Sequence, residues 1–336
     1  MDRTKRMFVK TALSAGISAP TFGLFVPNLA RGQGTLTLKF AHPDSNLHPN
    51  HKMAEAFAAR VGERTNGAVK IEVFAGGQLG SSASIATGVA TGTVDLLYHT
   101  AGFLSSIFPM MQILDLPFLF RDARSGERVV DGEIGQTIFA SVEKKNVYGL
   151  AWSTNGWRVM ETTKKPVHTP DDLSGMKFRI QQSPVFVAMA KAFNAQPVSL
   201  DVSEMYLALT QNTVDGYEFP LLSVVATKLH EVTKFVSETN HTYNAMALLG
   251  SKIKLDKLDP AHLKVLREEA LRFGADTRKS IVEASAAAKK TCQDAGVQFN
   301  SVEYAPFRQK VDPVFAQFRA SMGEQLIDKL LKAAEG

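Results

Sequence analysis

The chain has 336 residues, 45% of them hydrophobic and 21% charged, with a formal net charge of +5 and one cysteine. That length suggests about two domains, and the profile is that of a globular protein with sizeable cores and no disordered stretch. Five of the 38 basic residues and one of the 33 acidic ones lie in the first 32 positions, leaving 33 against 32 in the rest, so no basic run remains as a footprint for nucleic acid.

The opening segment stands apart. Arg3, Lys5, Arg6 and Lys10 precede a small, apolar run from Leu13 to Leu29 that Pro20 and Pro27 interrupt, and Ala30-Arg31-Gly32 offers small residues for a cut. This pattern reads as an export signal over residues 1–32. A membrane anchor or a plain N-terminal helix are the alternatives, although the run is short of the roughly 20 residues of a span. Thr4-Lys5-Arg6-Met7-Phe8 resembles a twin-arginine signal with Lys in the first Arg position, so a twin-arginine-like and a general secretory route both stay open.

Downstream, Thr35–Ala41 alternates as a strand, His48-Pro49 starts a helix to about Thr65, and Val69–Phe74 is a second strand. Gly76–Gly80 is a turn, Ser81–Ala90 a small-residue helix and Thr93–Tyr98 a third strand. This order implies right-handed parallel crossovers. Ile113–Phe120 is a dense apolar run that belongs inside. Arg124–Lys145 makes two helical pieces separated near Gly132–Gly135, and Val147–Trp152 is a further strand.

Thr169 and Pro170 open a short helical turn that Gly175 closes. Met176, Phe178 and Ile180 then alternate with Lys177 and Arg179. Alternation alone makes Arg179 a solvent-facing charge on a half-buried strand. The Ser183-Pro184 helix start that follows makes an anion site the alternative, because ligands of open α/β sheets sit at the carboxyl ends of strands near helix N-termini.

A helix Pro184–Phe193, the segment Pro197–Leu200, and a capping box of Asp201 and Glu204 opening a helix to about Leu209 come next. Thr213–Phe219 is a strand, and Pro220 opens a helix. The tripeptide Thr-Val-Asp occurs at 93–95 and again at 213–215, each time after a helix and before a strand, which hints at two lobes wound alike. Val232–Val236 and Tyr243–Gly250 are separate strand candidates. Asp259-Pro260 begins the longest helix, running to about Gly296, roughly 50 Å at 1.5 Å per residue, with Gly274 as a possible bend. Val297–Asn300 is a short strand. A final helix from Asp312-Pro313 turns Phe315, Phe318, Met322 and Leu326 inward.

The sequence carries no phosphate loop, zinc pattern or nucleophile motif, so no catalytic residue, metal ligand or cofactor is assigned. His42, His48 and His51 allow a metal, but an exposed helix-start cluster explains them better. Cys292, in an Ala-rich helical stretch, reads as a buried inert thiol. The positive signals are Arg158 and Arg179, whose guanidinium forks suit a carboxylate. Trp152, Trp157, Tyr217, Phe219 and Tyr243 lie near strand ends, where they wall a pocket or pack in the core.

Lys39–Pro43, Phe57–Val61, Glu63–Gly67, Ile71–Phe74, Gly77–Gly80, Leu116–Phe120, Gly156–Arg158, Thr169–Arg179, Glu204–Tyr206 and Val214–Glu218, taken in order, resemble the DctP-type solute-binding proteins of TRAP (tripartite ATP-independent periplasmic) transporters. The resemblance implies an α/β, two-lobed periplasmic-binding-protein-like fold with crossing strands and a long helix spanning both lobes: 33–155 plus 245–284 as lobe I, 156–244 plus 285–336 as lobe II. It implies a periplasmic receptor that clamps a carboxylate-bearing organic acid between its lobes and delivers it to the small and large membrane subunits of an ion-gradient-driven permease. Arg179 matches the family's carboxylate-pairing arginine and Arg158 a second ligand arginine; Phe219, Tyr217, Trp152, His42 and Tyr243 complete the expected ligand set. Two departures, Ser81–Ser84 after Gln-Leu-Gly and Phe219 before Pro220, point to a small or aromatic-bearing acid rather than a polyhydroxylated one. A secreted enzyme or a ligand sensor on the same scaffold are the competing readings.

Overall fold

The computed structural model describes residues 35–335, so the export-signal expectation lies outside it. Nine strands among these residues form one mixed sheet: β1 (Leu36–Ala41), β2 (Val69–Phe74), β3 (Leu96–Thr100), β4 (Val147–Thr162), β5 (Lys177–Ile180), β6 (Gln196–Ser199), β7 (Gly216–Pro220), β8 (Phe235–Ser251) and β9 (Gln298–Ser301). The order is β2-β1-β3-β8-β4-β7-β5-β6, with β9 beside β8. Two parallel three-stranded halves, β2-β1-β3 and β7-β5-β6, flank the long antiparallel pair β4 and β8. This is the two-lobed α/β architecture with crossing strands.

The halves are wound alike, and the Thr-Val-Asp repeat shows why. In the first half Asp95 N donates to Lys39 O, and Asp95 Oδ2 accepts from Lys39 N at 2.8 Å. In the second half Asp215 N donates to Lys177 O, and Asp215 Oδ2 accepts from Lys177 N at 3.0 Å. Thr93 and Val94 satisfy Gly88 O at one helix end just as Thr213 and Val214 satisfy Ala208 O at the other. Each aspartate thus supplies a ladder bond that the strand start lacks, tying the third strand of its half to the first.

Two elements run further than the sequence pattern indicates. β4 continues past Trp152 to Thr162, and the two candidates at 232–236 and 243–250 are a single 17-residue strand. Their polar middles, Ser153–Gly156 and Glu238–Thr242, lie outside the strands expected from the sequence. Ser153, Thr154, Glu238 and Thr242 pair in the sheet, and register shifts leave the residues between them unpaired, one shift running across Gly156 at φ +85°. A bulge of this kind kinks the strand and re-aims its side chains.

Each half packs its own core. Leu38 and Phe40 of β1 meet Phe57 and Val61 of the helix Pro49–Arg64 and Leu266, Ala270 and Phe273 of the long helix Pro260–Asp294. Met205, Leu209, Val214 and Tyr217 meet Cys292 near the other end of that helix. The opposite face of the sheet is covered along both halves by a further core that includes Leu114, Phe178, Phe186 and Phe318. Fully burying each such side chain contributes about 1.5–3 kcal/mol. Gly274 allows the long helix to approach β4 closely: a Cβ there would lie 2.5 Å from Trp152 O.

At the C-terminus the expected single helix is two. Asp312–Met322 ends at Gly323 with φ +95°, and Leu326 belongs to the next helix, Glu324–Glu335. A short helix, Tyr304–Lys310, precedes them. No helix among the described residues is long and apolar enough to cross a membrane.

Candidate functional site

The carboxyl ends of β1, β3, β5 and β7 converge, and the two arginines lie there fully buried. Alternation misplaced Arg179 because β5 lies between β6 and β7 inside a parallel half, where Phe178, Arg179 and Ile180 are all buried and only Lys177 is exposed. Arg179 Nε and Nη2 donate to Leu200 O at 3.1 and 2.8 Å. Arg158 Nε donates to Glu218 Oε2, and Arg158 Nη2 donates to Glu218 O at 2.8 Å. Each guanidinium keeps its Nη1 buried without a protein partner. The Phe219 ring lies 5.4 Å from the Arg158 guanidinium carbon and 5.7 Å from that of Arg179, and Phe186 covers Arg158 at 5.1 Å. These aromatic faces hold the cations in place at a favourable cation–π distance.

The electrostatics follow from burial. Removal from water pulls the Arg179 guanidinium down to about 10. Burial alone would raise the Glu218 carboxyl, yet Arg158 and the His241 imidazole, 3.8 Å away, hold it below the usual range. Glu161, buried and repelled by Glu218, is pushed well above the usual carboxyl range. Glu218 is thus the anion bonded to Arg158, while Arg179 has only a backbone carbonyl as its bonded partner and feels Glu218 and Asp201 through space.

Other buried polar atoms lie around the same strand ends without protein partners: Gln181 Nε2, Asn155 Oδ1, both amide atoms of Asn244, and His99 Nε2. Gln181 accepts from Thr100 Oγ1 at 3.3 Å, and Asn155 donates to Ser223 Oγ at 2.9 Å. Asp115, pushed up to about 7 by burial, accepts from Ser183 Oγ at 3.2 Å and leaves Oδ1 free. A polar group left unsatisfied in the interior costs about 1–3 kcal/mol. This density of free donors and acceptors marks a site shaped for a polar ligand.

The structure brings Arg158, Arg179 and Phe219 together. Tyr217 lies opposite Arg179 in the β5–β7 register, with its hydroxyl 2.6 Å from Thr233 Oγ1 and its ring in the core. His42 and His48 are buried, contrary to the exposed cluster expected: the β1 end and helix start are folded against the sheet, with His42 Nε2 3.1 Å from His51 Nδ1 and the cluster facing Asp44. Trp152 stacks on Phe139 at 4.4 Å, and Tyr243 packs edge-on to Phe120 and Trp157, both within the cover of β4 and β8. Cys292 is buried, its thiol pushed up to about 12 by burial. Among the described residues no three His, Cys, Asp or Glu side chains form a metal-holding group. Sequence reasoning missed Glu218, Glu161, Asn155, Gln181 and Asn244; a charge or amide alternating with apolar residues in a central strand was the available signal.

Burial pushes both His42 and His99 down to about 4. A depressed histidine stabilises the fold above its unfolded value of 6.5, and that contribution is lost as pH falls towards 4. Between pH 7.5 and 5 the native protein is therefore expected to lose about 2 kcal/mol more than a His99→Phe variant. Urea titrations at both pH values check this; equal losses in the two proteins contradict it.

Comparison with known proteins gives this geometry its context. The chain matches the family described as bacterial extracellular solute-binding protein, family 7 (DctP), over residues 40–321. It is 33% identical over 282 residues to the 2,3-diketo-L-gulonate-binding periplasmic protein YiaO of Escherichia coli, spanning 83% of this chain and 86% of that one. It is 31% identical to the C4-dicarboxylate-binding periplasmic protein DctP of Rhodobacter capsulatus, over 93% and 94% of the two chains. The sugar acid binding protein DctPAm of Advenella mimigardefordensis, solved with galactonate, superposes with a TM-score of 0.86 at 26% identity, covering 90% of this chain and 98% of that one. A TRAP periplasmic solute-binding protein of Polaromonas, bound to D-erythronate, superposes with a TM-score of 0.85 at 31% identity, covering 88% and 98%. The chain belongs to the DctP family of extracellular solute-binding proteins, the solute receptors of TRAP transporters.

Proposed function

We propose that the protein is a periplasmic receptor for a hydroxylated organic acid, which it holds between lobe I (33–155 plus 245–284) and lobe II (156–244 plus 285–336). The ligand carboxylate pairs with Arg179 and Arg158. The single observation that carries this reading is the pair of buried Nη1 donors without protein partners, both beside Phe219, since a carboxylate takes two parallel N–H bonds. Phe219, expected to favour a small or aromatic-bearing acid, is committed to the two guanidinium groups. The free amides of Gln181, Asn155 and Asn244 favour hydroxyl groups on the rest of the ligand. Relatives solved with galactonate and D-erythronate support the same class. Trp152 and Tyr243 brace β4 and β8, Tyr217 braces β7, and His42 closes the far wall.

The receptor releases its ligand unchanged to the small and large membrane subunits of an ion-gradient-driven permease, and the leader at 1–32 directs its export. A thermal-shift screen of sugar acids, keto acids, dicarboxylates and aromatic acids tests the ligand class. A hydroxylated monocarboxylate at 100 times its Kd is expected to add about 2.7 kcal/mol of stability, a rise of several degrees. Stabilisation by aromatic acids alone contradicts the reading.

A further inference from the structure

A second cavity lies at the middles of β4 and β8, and it shares no residue with the arginine clamp. It measures about 570 Å³, within the usual range of a small-molecule site. Trp157 of β4, Asn240 of β8, residues of the segment 118–123 and the helix Tyr304–Lys310 line it. The segment belongs to lobe I as proposed, and the other lining residues to lobe II.

Backbone strain gathers at this cavity. Phe118 has φ +57° and Asn240 has φ +40°. Left-handed backbone is uncommon outside glycine, and in a residue as bulky as Phe it is an outlier. The two strained residues are tied together: Phe118 N donates to His241 O at 2.6 Å, next in sequence to Asn240. In this conformation the Phe118 ring packs edge-on to Tyr304 at 6.3 Å. Strain of this kind persists only where the surroundings fix it, commonly at ligand sites, and neither residue takes part in the clamp.

The lining is aromatic and cationic. Phe118 and Trp157 are half-buried and Tyr304 is 49% exposed, so their rings keep surface to offer. Arg121 Nη2 donates to Glu335 O at 2.8 Å and Arg308 Nη1 to Phe118 O at 3.4 Å. Both acceptors are backbone carbonyls, which leave the charges uncompensated. The Phe315 ring, 4.7 Å from the Arg308 guanidinium carbon, steadies that side chain. Asp122, the one acidic residue among the described lining, is committed to the helix Ala123–Asp131, where it accepts from Ser125 N at 2.7 Å. Two cations thus stand against one anion that is already engaged. A flat ring carrying one carboxylate complements this set, because rings pack edge-on or offset on rings and a guanidinium fork pairs with a carboxylate.

We propose that this cavity is a second ligand site, which takes an aromatic monocarboxylate independently of the acid held by Arg158 and Arg179. The ring packs among Phe118, Trp157 and Tyr304, and the carboxylate pairs with Arg121 and Arg308. The bound acid touches both lobes at once.

Benzoate, phenylacetate and indoleacetate are the probes, with phenylacetamide and acetate as controls that lack the charge or the ring. Calorimetric titrations compare the wild-type protein, the double variant Arg121→Gln with Arg308→Gln, and Arg179→Ala. Arg121 and Arg308 are exposed, and surface substitutions of this kind leave a fold nearly unchanged. At least one aromatic acid is expected to bind the wild type and Arg179→Ala within about 2-fold of each other, to bind the double variant at least about 10-fold more weakly, and to exceed both controls by at least about 10-fold. The chain has two tryptophans, so the same acid should move the Trp157 indole N–H signal in the NMR spectrum, which a Trp152→Phe variant assigns. Binding of none of the three acids overturns the second site. So does binding that Arg179→Ala weakens as much as the double substitution, binding that the double substitution leaves unchanged, or an unmoved Trp157 signal.

Discussion

Replacing Arg179 by Ala is expected to weaken binding of the organic acid by about 2–5 kcal/mol, roughly 30-fold to several thousand-fold, because a buried charge-assisted pair loses one member. Arg179→Lys should lose most of the same energy. Lysine is a point charge on a flexible stem and cannot donate to Leu200 O from two nitrogens while presenting a third. Stability should move the other way or hardly at all. The guanidinium is held wholly out of water, which pulls it down to about 10, so the fold carries a desolvation cost for the sake of binding, as functional sites commonly do. Calorimetric affinities set beside melting temperatures separate the two effects. An Arg179→Ala protein that binds as tightly as wild type contradicts the assignment.

The second large effect falls on stability. Glu218→Gln leaves Arg158 buried without its counter-charge and is expected to destabilise the fold by about 3–5 kcal/mol at pH 7. Glu161→Gln, at the β4 position that pairs with Tyr217 beside Glu218, should cost under about 1 kcal/mol, because burial and Glu218 already push Glu161 towards its neutral form. The contrast matters more than either value: two buried glutamates on paired strands have opposite protonation, and only the charged one anchors an arginine. Removing the pair together, as Arg158→Met with Glu218→Leu, should restore much of the stability while abolishing binding. Urea unfolding of the three variants decides this; equal losses for Glu218→Gln and Glu161→Gln contradict it.

Much of the fold is legible in the sequence. Period-two runs mark β1, β2, β5 and β7, and Pro or Asp-Pro starts mark the helices at 49, 184, 260 and 312. Even the likeness of the halves shows in a tripeptide, since each Asp of Thr-Val-Asp repairs the same gap in a parallel ladder. What local pattern misses is whatever depends on enclosure. Arg179 alternates like a surface residue and is buried because β5 lies between β6 and β7 inside a parallel half. The polar middles of β4 and β8 fall outside the strands marked by apolar pattern and are the bulged, amide-rich part of the site. His42 and His48 read as an exposed cluster and are enclosed by the packing of the β1 end. The resemblance to a known family corrected the first of these, because it carried information on tertiary context that periodicity lacks. It did not distinguish the aromatics that touch the arginines from Trp152 and Tyr243, which pack elsewhere.

The most direct test of the carboxylate clamp is a crystal structure of the protein with the acid that stabilises it most in the thermal-shift screen. The account predicts a carboxylate between the two arginines, with its oxygens about 2.7–2.9 Å from Arg158 Nη1 and Arg179 Nη1 and its hydroxyls reaching the amides of Gln181, Asn155 or Asn244. A ligand whose carboxylate lies elsewhere, with both Nη1 atoms hydrogen-bonded only to water, contradicts it.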